Sequence, residues 1–142
     1  MQLRLLFVLN QPKNKKVNFF PYHLPLLNAI TAKHRAVAPY SNYSVGAAIL
    51  TENNFVILGC NVESKAYPTT LCAERVAIFS AISQGYNKFT ALALITNDGA
   101  FPCGSCRQII HEYAPDIPIY IADKSGDFLT KNSSELLPFP FG

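Results

Sequence analysis

Three cysteines and one glutamate, held in two short motifs, constrain the fold of this chain more than any other sequence feature. The first motif is Thr70-Leu71-Cys72-Ala73-Glu74-Arg75, and the second is Pro102-Cys103-Gly104-Ser105-Cys106. Three protein ligands with a fourth position left for water are typical of catalytic zinc sites. A fold that suits this chain must therefore bring two distant segments together around one metal ion.

Each of these motifs lies at the start of a predicted helix. The positive end of a helix favours thiolate over thiol, which suits cysteines that bind a metal. Three thiolates give a zinc site a net negative charge, and this charge weakens the acidity of the attacking water. Arg75 and the two helix ends can draw charge from the sulfurs and restore that acidity. Glu74 follows Cys72 by two residues and can move the proton of the water. These residues predict a zinc hydrolase.

Other interpretations of the same residues remain open at this point. Glu74 can belong to an ordinary polar pair at the head of a helix. The Cys103–Cys106 segment can be a redox pair, although that interpretation leaves Cys72 without a role. A structural zinc site needs a fourth ligand; Cys60 is available, but it lies in an apolar strand and is typical of a buried small hydrophobe. A non-catalytic zinc-stabilised interaction module would bind the metal without any turnover.

The composition limits the kinds of molecule that this chain is expected to bind. A chain of 142 residues predicts one domain, and 49% hydrophobic against 15% charged residues indicates more apolar surface than a small monomer easily covers. We therefore expect an oligomer. The net charge is only +3, and the chain contains no basic run long enough to follow a phosphate backbone. Nucleic-acid polymers are thus not expected partners.

The amino-terminal segment predicts neither export nor membrane insertion. The apolar run Leu3–Leu9 is followed by Asn10-Gln11-Pro12-Lys13 without a small-residue cleavage site, and it is too short to span a bilayer. We therefore expect a cytoplasmic protein with no membrane partner. Clustered cysteines in a reducing compartment favour metal binding over structural disulfides.

The apolar patterns predict a three-layer α/β/α sandwich on a mixed sheet of about five strands. Residues 1–20 are expected to form an extension of unknown role, and residues 21–142 a single catalytic domain. Thr69 or Thr70 is the expected N-cap of the central helix, which is apolar nearly all round and is expected to be covered on both sides, by the sheet and by another subunit. The predicted elements are, in order, a helix over Tyr22–Val37, strands over Val45–Leu50 and Phe55–Val62, a helix over Cys72–Gln84 closed by Gly85, a strand over Phe89–Thr96, a helix from Pro102, and a strand over Ile117–Ala122.

Four ordered motifs resemble the cytidine deaminase family, specifically its small homotetrameric branch. Cys-Ala-Glu-Arg and Pro-Cys-Gly-x-Cys-Arg-Gln, here Cys72–Arg75 and Pro102–Gln108, are similar to the two metal motifs of that family. Ala38–Ala48 and Gly59–Glu63 supply the other two resemblances. The similarity extends over roughly residues 22–142.

The resemblance implies a role for each residue of the metal motifs. Cys72, Cys103 and Cys106 resemble the zinc ligands, with one Zn²⁺ per subunit. Glu74 resembles the proton shuttle, and Arg75 resembles the arginine that hydrogen-bonds the cysteine sulfurs.

The resemblance also implies substrate contacts. Asn61 and Glu63 resemble the pair that grips the ribose hydroxyls, and residues two apart on a strand do face the same side. The backbone of Ala73 resembles the position that contacts the pyrimidine. Tyr43 stands where the family usually has a phenylalanine that lines the base pocket. Phe141 resembles a carboxy-terminal aromatic residue that reaches the site of a neighbouring subunit.

The activity implied by the resemblance is hydrolytic deamination of free cytidine and deoxycytidine to uridine and deoxyuridine, with release of ammonia, in pyrimidine salvage. The implied assembly is a homotetramer whose sites are completed across subunit interfaces. A zinc deaminase of another nucleoside, of a nucleoside antibiotic or of a base within RNA is the nearest alternative.

Overall fold

A mixed five-stranded sheet organises the computed structural model, which describes residues 22–142. The predicted extension over residues 1–20 lies outside the described residues. The strand order is β2-β1-β3-β4-β5; β3 and β4 pair in parallel, and the remaining pairs are antiparallel. The strands are β1 Gly46–Thr51, β2 Val56–Cys60, β3 Phe89–Ile95, β4 Ile119–Ala122 and β5 Phe128–Lys131.

Helices cover both faces of this sheet, so the predicted three-layer sandwich is confirmed. On β1, Ala48 and Leu50 pack toward the first helix, whereas Ala47 and Ile49 pack toward the second and third helices. This alternation follows from the two-residue period of a strand. The helices are α1 His23–Lys33, α2 Ala73–Ser83, α3 Gly104–Tyr113 and α4 Ser133–Leu136, with a 3₁₀ turn at Tyr67–Thr69.

The start of α2 packs very closely on β2 at a glycine. A Cβ atom on Gly59 would lie 2.2 Å from the carbonyl oxygen of Ala73 and 2.5 Å from the backbone nitrogen of Ala77. Only a residue without a side chain permits this approach. The contact determines how close the amino-terminal end of α2, and with it Cys72, comes to the sheet.

We expect Gly59→Ala to lower the free energy of unfolding by about 1–3 kcal/mol or more, because the added methyl group meets rigid backbone. Urea denaturation followed by circular dichroism measures the change. Gly104→Ala is the matched control, since a Cβ atom there has no neighbour within 4 Å among the described residues. Equal stability of the two variants would contradict the close-packing argument.

Two predicted helix boundaries are wrong for local reasons. The first helix ends at Lys33 rather than at Val37, because Val37 leaves the helix and pairs with the segment after β2. Its N–H donates to the carbonyl oxygen of Asn61 at 3.0 Å. The N-cap of α2 is Cys72, not Thr69 or Thr70; the hydroxyl of Thr70 instead accepts a hydrogen bond from the backbone N–H of Ser64. Gly85 ends the helical segment in a left-handed conformation, as predicted.

The fifth strand was not among the predicted elements. β5 has two exposed central residues and no clear alternation of buried and exposed positions, so its pattern resembles a loop. Pairing with β4 makes it a strand. Asn132 caps the short final helix, and its side chain accepts from the backbone N–H of Glu135.

Among the residues that the structure describes, contacts bury one face of α2 and leave the other partly exposed. Ala77 and Ala81 are fully buried against the sheet, whereas Phe79 and Ile82 on the opposite face are 39% and 37% exposed. The ring of Phe79 packs edge-on against Tyr113 of α3. The expected burial of the second face by another subunit stays a prediction. Within residues 22–142, no helix combines the length and the apolar character that crossing a bilayer requires.

Candidate active site

Three cysteine sulfurs meet where two helices begin. Cys72 and Cys103 are the N-cap residues of α2 and α3, and Cys106 lies in the first turn of α3. Their Sγ atoms all lie within 4.8 Å of one another, and those of Cys72 and Cys103 are 3.8 Å apart. Tetrahedral zinc with Zn–S bonds of about 2.3 Å separates its sulfur ligands by about 3.8 Å. The donor set and its spacing therefore fit one zinc ion.

The pKa values of Cys72 and Cys106 are shifted in opposite directions, and this pattern also favours the binding of a cation. A hydrogen bond from Cys106, with further help from Arg75, lowers the pKa of Cys72 to about 5. The same interaction with Cys72, together with burial, raises the pKa of the Cys106 thiol. Crowded sulfurs that cannot all ionise are relieved by a divalent cation, which releases the remaining protons on binding.

Arg75 connects one sulfur to the loop that precedes α2. Its Nη2 atom donates to the Sγ of Cys72 at 3.6 Å and to the carbonyl oxygen of Thr70 at 3.3 Å. Both acceptors belong to the stretch that enters the helix. The side chain therefore orients a ligand and places positive charge beside the sulfur cluster.

Glu74 lies beside the sulfurs and is almost completely buried, with 4% of its surface exposed. Burial is the main reason why the pKa of its carboxyl group is raised to about 7; the nearby Cys72 thiolate raises it further. A carboxyl group that titrates near neutrality can both accept and return a proton, which is the property that a general acid–base requires.

A cleft of about 380 Å³ opens over this cluster. Its volume lies at the lower end of the range for small-molecule sites. Two of the three predicted metal ligands share the cleft with three of the predicted substrate residues. Its walls include Cys72, Cys103 and Glu74 together with Tyr43, Asn61 and Glu63.

Asn61 and Glu63 are held in place by hydrogen bonds to the loop before β1. Asn61 accepts from the backbone N–H of Val45 at 2.9 Å and donates through Nδ2 to the carbonyl oxygen of Tyr43 at 2.8 Å. Glu63 accepts from the hydroxyl of Ser41 and from two backbone N–H groups, and these bonds lower the pKa of its carboxyl group. Both side chains are therefore oriented before any ligand binds.

Two predicted substrate residues do not line the cleft of this chain. Ala73 is fully buried as the first residue of α2. Phe141 is 87% exposed near the carboxy-terminal end. The side-chain amide of Gln108 holds Phe141 by its backbone: Nε2 donates to the carbonyl oxygen at 2.9 Å, and Oε1 accepts from the N–H at 3.0 Å.

Sequence reasoning missed the wall formed by the segment between β3 and α3. Thr96, Ala100 and Phe101 line the cleft, and Asp98 hydrogen-bonds the hydroxyl of Tyr43. The composition of Asn97-Asp98-Gly99 is typical of a turn and does not by itself indicate a binding site. A polar run directly between a buried strand and a metal motif was the available signal, since residues at the carboxyl ends of strands often face a ligand.

The chain is similar to known zinc deaminases in sequence and in fold. The family profile described as the cytidine and deoxycytidylate deaminase zinc-binding region matches residues 24–121. A cytidine deaminase of Sporosarcina psychrophila is 42% identical over 113 residues, which cover 78% of this chain and 83% of that protein. The crystal structure of a cytidine deaminase from Burkholderia pseudomallei superposes with a TM-score of 0.83 at 38% identity and covers 86% of this chain and 100% of that one. A blasticidin-S deaminase of Bacillus cereus is 29% identical over 137 residues, which cover 89% of this chain and 97% of that protein.

Proposed function

The chain belongs to the cytidine and deoxycytidylate deaminase family, and from this membership we propose that it hydrolyses free cytidine and deoxycytidine to uridine and deoxyuridine, with release of ammonia. The observation that carries the proposal is the meeting of a three-sulfur metal cluster and a buried carboxyl group in one cleft. We further propose that residues 21–142 form a single catalytic domain.

Each part of the site has one role in the proposed reaction. Cys72, Cys103 and Cys106 would hold a zinc ion, which supplies Lewis acidity that makes water a strong nucleophile near neutral pH. Glu74 accepts a proton from the attacking water and delivers it to N3 of the base. As the oxygen of that water bonds to C4, the same carboxyl group takes its remaining proton and gives it to the amine, so that the C4–N bond breaks, ammonia leaves and a carbonyl group stays at C4. Burial of Glu74 keeps bulk water away from this proton transfer.

The charges in the cleft favour a nucleoside over a nucleotide. Glu63 and Glu74 are the ionisable carboxyl groups on its walls, and the described wall residues include no lysine, arginine or histidine. A 5′-phosphate would find no basic side chain among these described wall residues and would be repelled by the carboxylates. Asn61 and Glu63 are proposed to bind the sugar hydroxyls, and the backbone of Ala73 and the ring of Tyr43 to contact the base.

Comparing substrates tests this proposal. Ammonia release should be fast with cytidine and deoxycytidine, slow with cytidine 5′-monophosphate, and absent with adenosine. Removing the metal with a chelator should abolish the activity, and adding Zn²⁺ should restore it. Release from blasticidin S but not from cytidine would instead favour the antibiotic deaminase, the second candidate that the similarity to the Bacillus cereus protein supports.

We also propose a cytoplasmic homotetramer that acts in pyrimidine salvage. The exposed apolar face of α2, with Phe79 and Ile82, offers a surface for subunit contact. Phe141 is proposed to reach the cleft of a neighbouring subunit, since Gln108 holds its backbone and leaves its ring exposed. Four free cysteines at positions 60, 72, 103 and 106 are consistent with a reducing compartment.

We expect Phe141→Ala to raise KM for cytidine about fivefold, because the loss of one aromatic contact corresponds to roughly 1 kcal/mol. Steady-state kinetics measures KM, and light scattering checks that the assembly is unchanged. Phe139→Ala is the matched control: Phe139 lies in the same tail and is 94% exposed. If both variants raise KM equally, a general effect on the tail rather than a contact by Phe141 is responsible.

A further inference from the structure

We propose that Asp98 is a positioning residue that holds the ring of Tyr43 as a fixed apolar wall of the cleft. The proposal rests on the proposed deaminase function for its kinetic consequence. It assigns a role to a carboxylate outside the metal motifs, and it states what the hydroxyl group of Tyr43 does. That hydroxyl faces the protein and not the substrate.

The hydrogen-bond network around Asp98 carries this inference. The phenol oxygen of Tyr43 donates to Oδ1 of Asp98 at 2.5 Å, and the hydroxyl of Thr96 donates to the same oxygen at 3.0 Å. The hydroxyl of Thr96 in turn accepts from the backbone N–H of Ala100 at 2.9 Å. Asp98 is also fixed through its main chain, because it forms an antiparallel bridge with Asp123. The carboxylate of Asp98 is therefore held in position by contacts other than its hydrogen bond with Tyr43.

The chemistry of the phenol limits what Tyr43 can offer a substrate. A tyrosine hydroxyl has one hydrogen to donate, and Asp98 receives it. Burial raises the pKa of Tyr43, and the bond from Tyr43 is the main reason why the pKa of Asp98 is lowered. The raised pKa of Tyr43 favours a neutral donor, and the lowered pKa of Asp98 favours an ionised acceptor. A hydrogen bond between such groups is stronger than one between two neutral groups. Tyr43 therefore lines the cleft without a hydrogen to donate to a substrate.

The main chain of Tyr43 is held from the opposite side. Its carbonyl oxygen accepts from Asn61 and its N–H donates to the hydroxyl of Ser41 at 3.0 Å. The backbone and the hydroxyl of Tyr43 are thus held by different partners. The side chain extends from the loop before β1 to the loop that leads to Cys103. Without Asp98, the phenol would lose its charged partner and keep only its weaker interaction with Thr96, so the ring could turn within the cleft.

A double-mutant cycle tests the proposal. We expect Tyr43→Phe and Asp98→Ala each to raise KM for cytidine about three- to tenfold, which corresponds to the net contribution of one typical hydrogen bond, with kcat changed less than twofold. The double variant should be no worse than either single one, because both remove the same bond. Asp98→Asn retains an acceptor oxygen and should recover part of the loss. Tyr86→Phe and Asp127→Asn serve as controls for loss of a phenol and of an exposed carboxylate elsewhere.

Other results would overturn the proposal. A higher KM for Tyr43→Phe with a normal KM for Asp98→Ala would mean that the hydroxyl contacts the substrate directly. Additive effects would mean two independent roles. A readout that does not depend on catalysis separates this proposal from the proposed function. In protein labelled with 3-fluorotyrosine, Asp98→Ala should shift the ¹⁹F resonance of Tyr43, which is assigned by its absence in Tyr43→Phe. An unshifted resonance overturns the contact, whereas a wild-type protein inactive on cytidine overturns the function alone.

Discussion

Replacing Glu74 by glutamine is expected to abolish deamination while leaving the zinc content at one ion per subunit. Glutamine keeps the size of the side chain but cannot take up and return a proton. Loss of a positioned general acid–base typically costs about 10²–10⁴ in rate, or about 3–5 kcal/mol of transition-state stabilisation. Because Glu74 is proposed to serve both the attack of water and the departure of ammonia, the upper part of this range is expected. Uridine formation, followed by absorbance, gives kcat.

Metal analysis and thermal unfolding provide the controls for this variant. Both should match the wild-type protein, since glutamine fits the buried position and the three sulfurs are unchanged. If Glu74→Gln turns over cytidine at a normal rate, the carboxyl group has no part in proton transfer. If the variant loses zinc, its inactivity says nothing about acid–base catalysis, and the role assigned to Glu74 must be tested with another substitution.

Replacing Cys103 by alanine is expected to remove both the bound zinc and the activity. Three sulfur ligands become two, and Cys72 loses the neighbour that lies 3.8 Å away. Cys103 is exposed, so its removal leaves no cavity in the core. We expect the zinc content to fall well below one per subunit, activity to fall at least about a hundredfold, and thermal stability to drop because metal binding favours the folded state.

Cys60→Ala is the matched control for loss of a thiol. The Cys60 side chain lies away from the metal cluster and donates to the carbonyl oxygen of Arg35 at 3.4 Å. This variant should retain zinc and activity; loss of zinc would favour the structural four-cysteine site. A redox role for Cys103 and Cys106 requires activity without metal and a reversible disulfide between them. Full activity of the metal-free protein would therefore contradict the zinc mechanism.

The metal motifs were readable from the sequence because their chemistry is local. Cys72 and Glu74 stand two residues apart, and Cys103 and Cys106 three apart, so each pair is presented by a single helix start, with the first cysteine as N-cap and the second residue in the first turn. The buried strands β1 and β3 could also be predicted from the sequence, because a continuous apolar run is typical of a strand that is buried on both faces. Family membership and the α/β fold are confirmed, whereas the individual roles of Asn61, Glu63 and Phe141 stay predictions.

The remaining features depend on contacts between distant segments. β5 became a strand only through pairing with β4, and Val37 left its helix because the segment after β2 offered a partner. Asp98 looked like part of a turn because its partner, Tyr43, lies 55 positions earlier in the chain. No local pattern contains that information.

The sequence by itself determined which atoms can bind the metal and which carboxyl group stands next to them, because these choices depend on residue type and on spacing within a single turn of helix. Only the tertiary structure decided that the two motifs meet, that Glu74 is buried enough to titrate near neutrality, and that Tyr43 is tied to Asp98. These properties arise from packing between segments far apart in the chain, and packing depends on the whole set of neighbours that folding brings together.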